Sequence, residues 1–135
     1  MMEFVKLYVT AAVTFLVLDG VWLGVIAPKF YKKHIGAIMA DKANFLAAGL
    51  FYILFIAGLV YFVIQPAVRE QSALVALQRG AFFGLVTYGT FDLTSQALLK
   101  DWPWIVTGVD LLWGMFITAV VSGLSVLLYR VIFVG

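Results

Sequence analysis

Apolar residues run along this chain in four long blocks, separated by shorter stretches where the charged residues and prolines collect. A helix that crosses the hydrocarbon core of a bilayer needs roughly 20 predominantly apolar residues. Four segments meet that requirement, at about 7–27, 45–64, 80–99 and 105–128. Each contains small residues and none has an internal proline. Pro28, Pro66 and Pro103 fall between the blocks, where a missing backbone N–H is harmless. Lys6 followed by an apolar run invites comparison with a cleaved signal peptide. The run is too long for that, holds Asp19 and Trp22, and lacks a small-x-small cleavage site, so it reads as a retained helix.

The connections are unequal. The longest, 28–43, places Phe30, His34, Ile35, Ile38 and Met39 at helical spacing among Lys29, Lys32, Lys33 and Lys42, the pattern of a short amphipathic helix in the headgroup plane. Asp41 or Asn44 is positioned to cap the second block, and Ser72 to cap a third helix that starts before its membrane part. Residues 65–72 form a polar link. Residues 100–103 are so few that blocks three and four must form an antiparallel hairpin. Trp102 and Trp104, beside that hairpin turn, read as interface anchors. The expected fold is all-α: an integral membrane antiparallel four-helix bundle with an interfacial amphipathic helix between spans one and two, occupying 1–135 as a single transmembrane domain. So small a bundle has little interior, which makes a homodimer plausible.

Composition sharpens this picture. Hydrophobic residues make up 64% of the 135 and charged residues 12%, against about half and a quarter in soluble domains. That little charge cannot cover a water-facing surface, so lipid is the expected surrounding. A net charge of +2 gives no case for nucleic acid. The absence of cysteine excludes disulfides, thiolate metal sites and cysteine nucleophiles. Basic residues flank the blocks. Lys29, Lys32, Lys33, Lys42 and Lys100 lie at one membrane face and Lys6, Arg69, Arg79 and Arg130 at the other, which tilts the positive-inside rule slightly toward a cytoplasmic first set.

Three acids interrupt the apolar blocks. A carboxylate at the centre of a lipid-facing helix costs at least about 2.5 kcal/mol, so such residues normally face protein or water. Asp19 is eight residues before Ala27, Asp92 eight before Lys100, and Asp110 seven after Pro103. At 1.5 Å per residue each lies about 10–12 Å below the same face. Tyr88, Asp92, Ser95 and Gln96 share one face of span three. A D-x-x-W pattern occurs twice, as Asp19 to Trp22 and as Asp110 to Trp113. Asn44 lies on the aspartate side of span two, which also offers Tyr52 and Tyr61. Gly20, Gly24, Gly84, Gly89 and Gly114 suit close helix approach. No Lys or Arg lies at the depth of the acids. The options left are protonation, proton sharing, a coordinated cation, or hydration from a cavity open to one side. Tyr88, Gln96 and the Trp22 and Trp113 indoles can donate hydrogen bonds to them.

The plainer alternative is that the acids act as helix glue, yet intramembrane hydrogen bonds average only about 0.6 kcal/mol each. The lysines of 28–43 are better placed for anionic headgroups than for a substrate. His34 suits a solvated position more than catalysis. No H-E-x-x-H, P-loop, G-x-S-x-G or dinucleotide fingerprint is present.

The stretches Leu18-Asp19-Gly20-Val21-Trp22-Leu23-Gly24, Pro28-Lys29-Phe30-Tyr31, Phe51-Tyr52, Tyr88-Gly89-Thr90-Phe91-Asp92-Leu93-Thr94, Trp102-Pro103 and Asp110-Leu111-Leu112-Trp113-Gly114 resemble a family of small bacterial predicted membrane proteins of unknown function. The resemblance covers nearly the whole chain. It implies a four-helix, multi-pass protein of a bacterial inner membrane and carries no activity.

The reading that follows is a membrane protein whose pocket binds or translocates a small solute, proton or cation. Asp19, Asp92 and Asp110 are the carriers, Tyr88 and Gln96 orient them, Trp22 and Trp113 form walls, and Asn44 lies nearby. No cofactor is required on this reading. The alternatives are an enzyme acting on membrane lipid, in which Asp19, Asp92 and Asp110 hold a hard divalent cation through oxygen ligands, and a non-catalytic assembly partner. The absent catalytic motifs lean against the enzyme.

Overall fold

The computed structural model describes residues 1–134, and every regular element among them is helical. Helix α1 (Met2–Val21) runs through a π-helical turn at Trp22–Ile26 into α2 (Ala27–Ile35). Helix α3 (Phe45–Leu59) runs through a second π turn at Val60–Ile64 into α4 (Gln65–Arg69). Helix α5 (Ala73–Leu98) and helix α6 (Trp104–Tyr129) complete the fold, and α6 ends in a π turn at Arg130–Val134. Three continuous runs, Met2–Ile38, Phe45–Arg69 and Trp104–Val134, are long and apolar enough to cross a membrane. Helix α5 has 26 residues but is more polar.

The prolines behave differently from expectation. Pro28 and Pro66 do not separate helices; each sits inside a continuous helical run, two residues after a π turn. Proline removes one intrahelical hydrogen bond and its ring crowds the carbonyl four residues earlier. A π turn opens the backbone at that point, because its hydrogen bonds span five residues instead of four. The carbonyls of Gly24 and Phe62, which the two prolines would crowd, both lie within the π turns. Among the three prolines only Pro103 stands at a helix start, as the cap of α6.

The caps fall where side-chain chemistry puts them. Asn44 Oδ1 accepts from the Ala47 N–H at 3.1 Å and starts α3. Ser72 Oγ accepts from the Val75 N–H at 3.1 Å and starts α5. Within the helices, hydroxyls of Thr10, Thr14, Thr87, Thr90 and Ser122 donate to carbonyls one turn back. These polar side chains are thereby satisfied without water, as an apolar surrounding requires.

Helices α5 and α6 pack antiparallel and close. A Cβ on Gly80 would stand 2.7 Å from the Thr118 carbonyl, and one on Gly84 would overlap the Gly114 carbonyl. Gly114 in turn lies under the Tyr88 ring. The close approach is thus made at Gly80, Gly84 and Gly114, whereas a Cβ on Gly20 or Gly24 would meet nothing within 4 Å, and one on Gly89 would make ordinary contact.

Against this pair, α1 lays down one straight buried stripe of Leu7, Ala11, Phe15 and Asp19, four residues apart. The apolar core joins that stripe to Phe55, Ile56, Leu59 and Ile64 of the α3 run and to Ile117 and Val121 of α6. The outward faces are equally apolar: Val9, Val13 and Val17 of α1 and Leu46, Leu50 and Leu54 of α3 are all exposed. A helix apolar all round is stable only where its outer face meets protein or lipid.

Candidate ligand pocket

The α1 stripe ends on a carboxylate. Asp19 is buried and lies one helical turn beyond Phe15. The Tyr52 hydroxyl of α3 donates to its Oδ2 at 2.7 Å, and the Trp113 indole of α6 reaches its Oδ1 at 3.4 Å. Asp110, three residues before Trp113 on α6, is also buried and accepts from the Tyr31 hydroxyl of α2. Asp92, from α5, is 1% exposed. Asp92 Oδ1 is buried and has no hydrogen-bond partner.

All three acids line a single cavity of about 430 Å³. Its walls are mostly aromatic. Trp22 and Trp113 stack with ring centroids 4.5 Å apart and planes 12° from parallel. Tyr31 meets Trp22 edge-on at 6.5 Å. Tyr52, Tyr88 and Phe91 supply further ring surface, and no Lys, Arg or His is among the lining residues. The two D-x-x-W repeats therefore interlock: the tryptophan of the second bonds the aspartate of the first, and the two tryptophans stack.

The π turn helps build this site. Asp19 and Tyr31 line the same cavity, although a straight helix would set twelve residues about 18 Å apart. Helix kinks concentrate at π turns and prolines, and Trp22–Ile26 with Pro28 supplies both between these two residues. From α2, Tyr31 donates to Asp110, while Lys29, Lys32 and Lys33 stay exposed.

The family model described as Predicted membrane protein (DUF2177) matches residues 4–127. The chain belongs to this family. The matched range includes every residue lining the cavity. Comparison with curated proteins and with solved structures returns no match.

Of the residues singled out in this DUF2177 chain, Asp19, Asp92, Asp110, Tyr88, Trp22 and Trp113 are brought together at the cavity. Asn44 and Gln96 are not. Asn44 is occupied as the α3 cap. Gln96 donates to the Trp102 carbonyl at 2.7 Å and accepts from the Thr107 hydroxyl at 2.8 Å, so it fastens the α5–α6 turn. Trp102 is buried in that same network, its indole donating to Thr107 Oγ1 at 3.1 Å, and only Trp104 is exposed as an interface anchor would be. Tyr88 lines the cavity, but the hydroxyl and indole donors to the acids are Tyr31, Tyr52 and Trp113. Leu23, Tyr31, Phe51, Tyr52, Thr87 and Phe91 also line the cavity without having been expected there, and of these Tyr31 and Tyr52 bond the acids. Tyr52 was accessible to the depth argument, since it stands eight residues beyond Asn44. Tyr31 was not, because it lies beyond the first span, on α2 past the π turn. Among the described residues no group of three or more His, Cys, Asp or Glu is arranged to hold a metal ion, and Asp19, Asp92 and Asp110 do not form such a set.

Proposed function

We propose that this is a four-pass membrane protein whose aspartate-lined pocket, beneath one membrane face, binds or translocates a small solute, proton or cation. The observation that carries the reading is the meeting of Asp19, Asp92 and Asp110, from three different helices, in one cavity with no basic residue in its lining. Acids used only to hold helices together would be paired off, whereas Asp92 Oδ1 is left without a partner.

Side-chain contacts support the four-pass arrangement. Gln65 donates to Glu3 at one end of the molecule, and Tyr52 to Asp19 toward the other, so the α3 run returns along α1. Arg79 pairs with Glu70 at the first end, and α5 then climbs to Asp92 beside the cavity. At ~1.5 Å per residue, a helix of α5's length exceeds the hydrocarbon thickness. Its greater polarity fits a helix that gives Gly80, Gly84, Asp92 and Ser95 to the interior. Helix α2, half-buried at Phe30, Tyr31, His34 and Ile35 and exposed at its lysines, suits a headgroup-level cover over the mouth.

The test is flux in liposomes holding the purified chain, read with entrapped pH-sensitive and cation-sensitive dyes under imposed H⁺, Na⁺ and K⁺ gradients. Wild type is expected to exceed empty liposomes, and the triple variant Asp19→Asn, Asp92→Asn, Asp110→Asn to fall to the empty-liposome rate. Equal rates for wild type and a folded triple variant would overturn translocation and leave the binding half to stand or fall on ligand titration.

A further inference from the structure

We propose that the ligand of this cavity is a small protonated amine; the inference rests on the pocket reading above and specifies its ligand class. Charge comes first. Three carboxyl groups line the cavity and no Lys, Arg or His does. An anion would meet only like charge there, and a neutral solute would bring no counter-charge to Asp92, whose Oδ1 has no donor.

Size and wall chemistry then separate an organic cation from a metal ion. A hard metal ion needs a compact shell of six or more oxygens. Here no three-acid group is arranged for one among the described residues. Two of the three acids already accept from tyrosine or tryptophan donors. A cavity of about 430 Å³ is large for a bare ion and within the range of small-molecule sites. Its walls are the rings of Trp22, Trp113, Tyr31, Tyr52 and Tyr88, surfaces that attract organic ammonium groups through their π faces.

The N–H requirement comes from Asp92. Its Oδ1 is buried in the wall with no donor. A protonated amine seated against Asp92 brings the positive charge and, once the carboxyl turns this oxygen toward the cavity, the N–H that it lacks. A quaternary ammonium brings only the charge.

The experiment is a titration of tryptophan fluorescence on the full chain in detergent micelles, where Trp22 and Trp113 report on the cavity. The probes are cyclohexylammonium chloride, its neutral analogue cyclohexanol, its N,N,N-trimethyl derivative, and MgCl₂ and NaCl. Saturable binding of cyclohexylammonium is expected, with cyclohexanol and the trimethyl derivative each at least about tenfold weaker, as loss of a charged hydrogen bond implies. Asp92→Asn is expected to weaken cyclohexylammonium at least about tenfold. Asp19→Asn, which keeps an acceptor for Tyr52, provides a second variant should the first fail to fold. Cyclohexanol binding as tightly as the amine, Mg²⁺ or Na⁺ displacing it at equal concentration, unchanged binding in both variants, or no saturation by the amine would each overturn the proposal. If flux depends on the aspartates while the amine fails to bind, the ligand class is wrong and the pocket reading stands. If flux is also absent, both fall.

Discussion

The Asp92→Asn protein is expected to lose all aspartate-dependent flux while melting no lower than wild type. The two halves have one cause. Asp92 is 1% exposed, shares the cavity lining with Asp110, and leaves Oδ1 without a donor. An unpaired buried acceptor costs about 1–3 kcal/mol, so the native residue opposes stability at this position. Asparagine has nearly the same shape and turns a carboxylate that only accepts into an amide that can both donate and accept. Stability is thereby kept or improved, while the proton-carrying and charge-neutralising group is removed. Such exchanges of stability for function are characteristic of working sites. A glue role predicts the reverse, a lower melting temperature with flux intact. Thermal unfolding and liposome flux on the same preparation distinguish the two.

Gly84→Ala is expected to destabilise the fold by on the order of 3 kcal/mol, the upper end of ordinary overpacking. The added methyl would overlap the Gly114 carbonyl and stand 2.8 Å from Thr118 Oγ1. The first of these is backbone and cannot rotate away, so relief requires α5 and α6 to separate. Separation also lifts Tyr88 from Gly114 and opens the cavity wall, so binding falls with stability. Gly20→Ala is the control. A Cβ there meets nothing within 4 Å, and alanine favours helix over glycine, so its melting temperature is expected to be unchanged or raised. Thermal denaturation of both variants in the same detergent measures the contrast.

Much of this molecule is legible in its sequence because lipid imposes a simple rule. Length and hydropathy located the helical runs, and the Asn44 and Ser72 caps followed from side-chain chemistry. Counting residues from each membrane edge put Asp19, Asp92 and Asp110 at one level, and the cavity brings them together. What was hidden is rotation and bending. Hydropathy in a helix that is apolar all round does not say which face is inward, so Gly20 and Gly24 were indistinguishable from Gly84. Pro28 and Pro66 read as lying between spans because the π turns that accommodate them inside continuous helical runs have no compositional mark. Beyond the first of these turns, Tyr31 meets Asp110, a contact between residues 79 positions apart. Gln96 shares a helix face with Asp92 but lies one turn nearer the α5–α6 connection, where Trp102 and Thr107 capture it.

The meeting of the three acids is open to direct measurement because the chain has no cysteine. Cysteine pairs placed at Asp19 and Asp110, and at Asp92 and Asp110, are the only thiols present when introduced. Treated in membranes with a short bifunctional thiol reagent, both pairs are expected to cross-link within the chain. A control pair at Asp110 and the outward-facing Leu54 is expected to stay unlinked. Failure of both aspartate pairs, or linkage of the control to the same extent, would contradict a shared chamber between the helices.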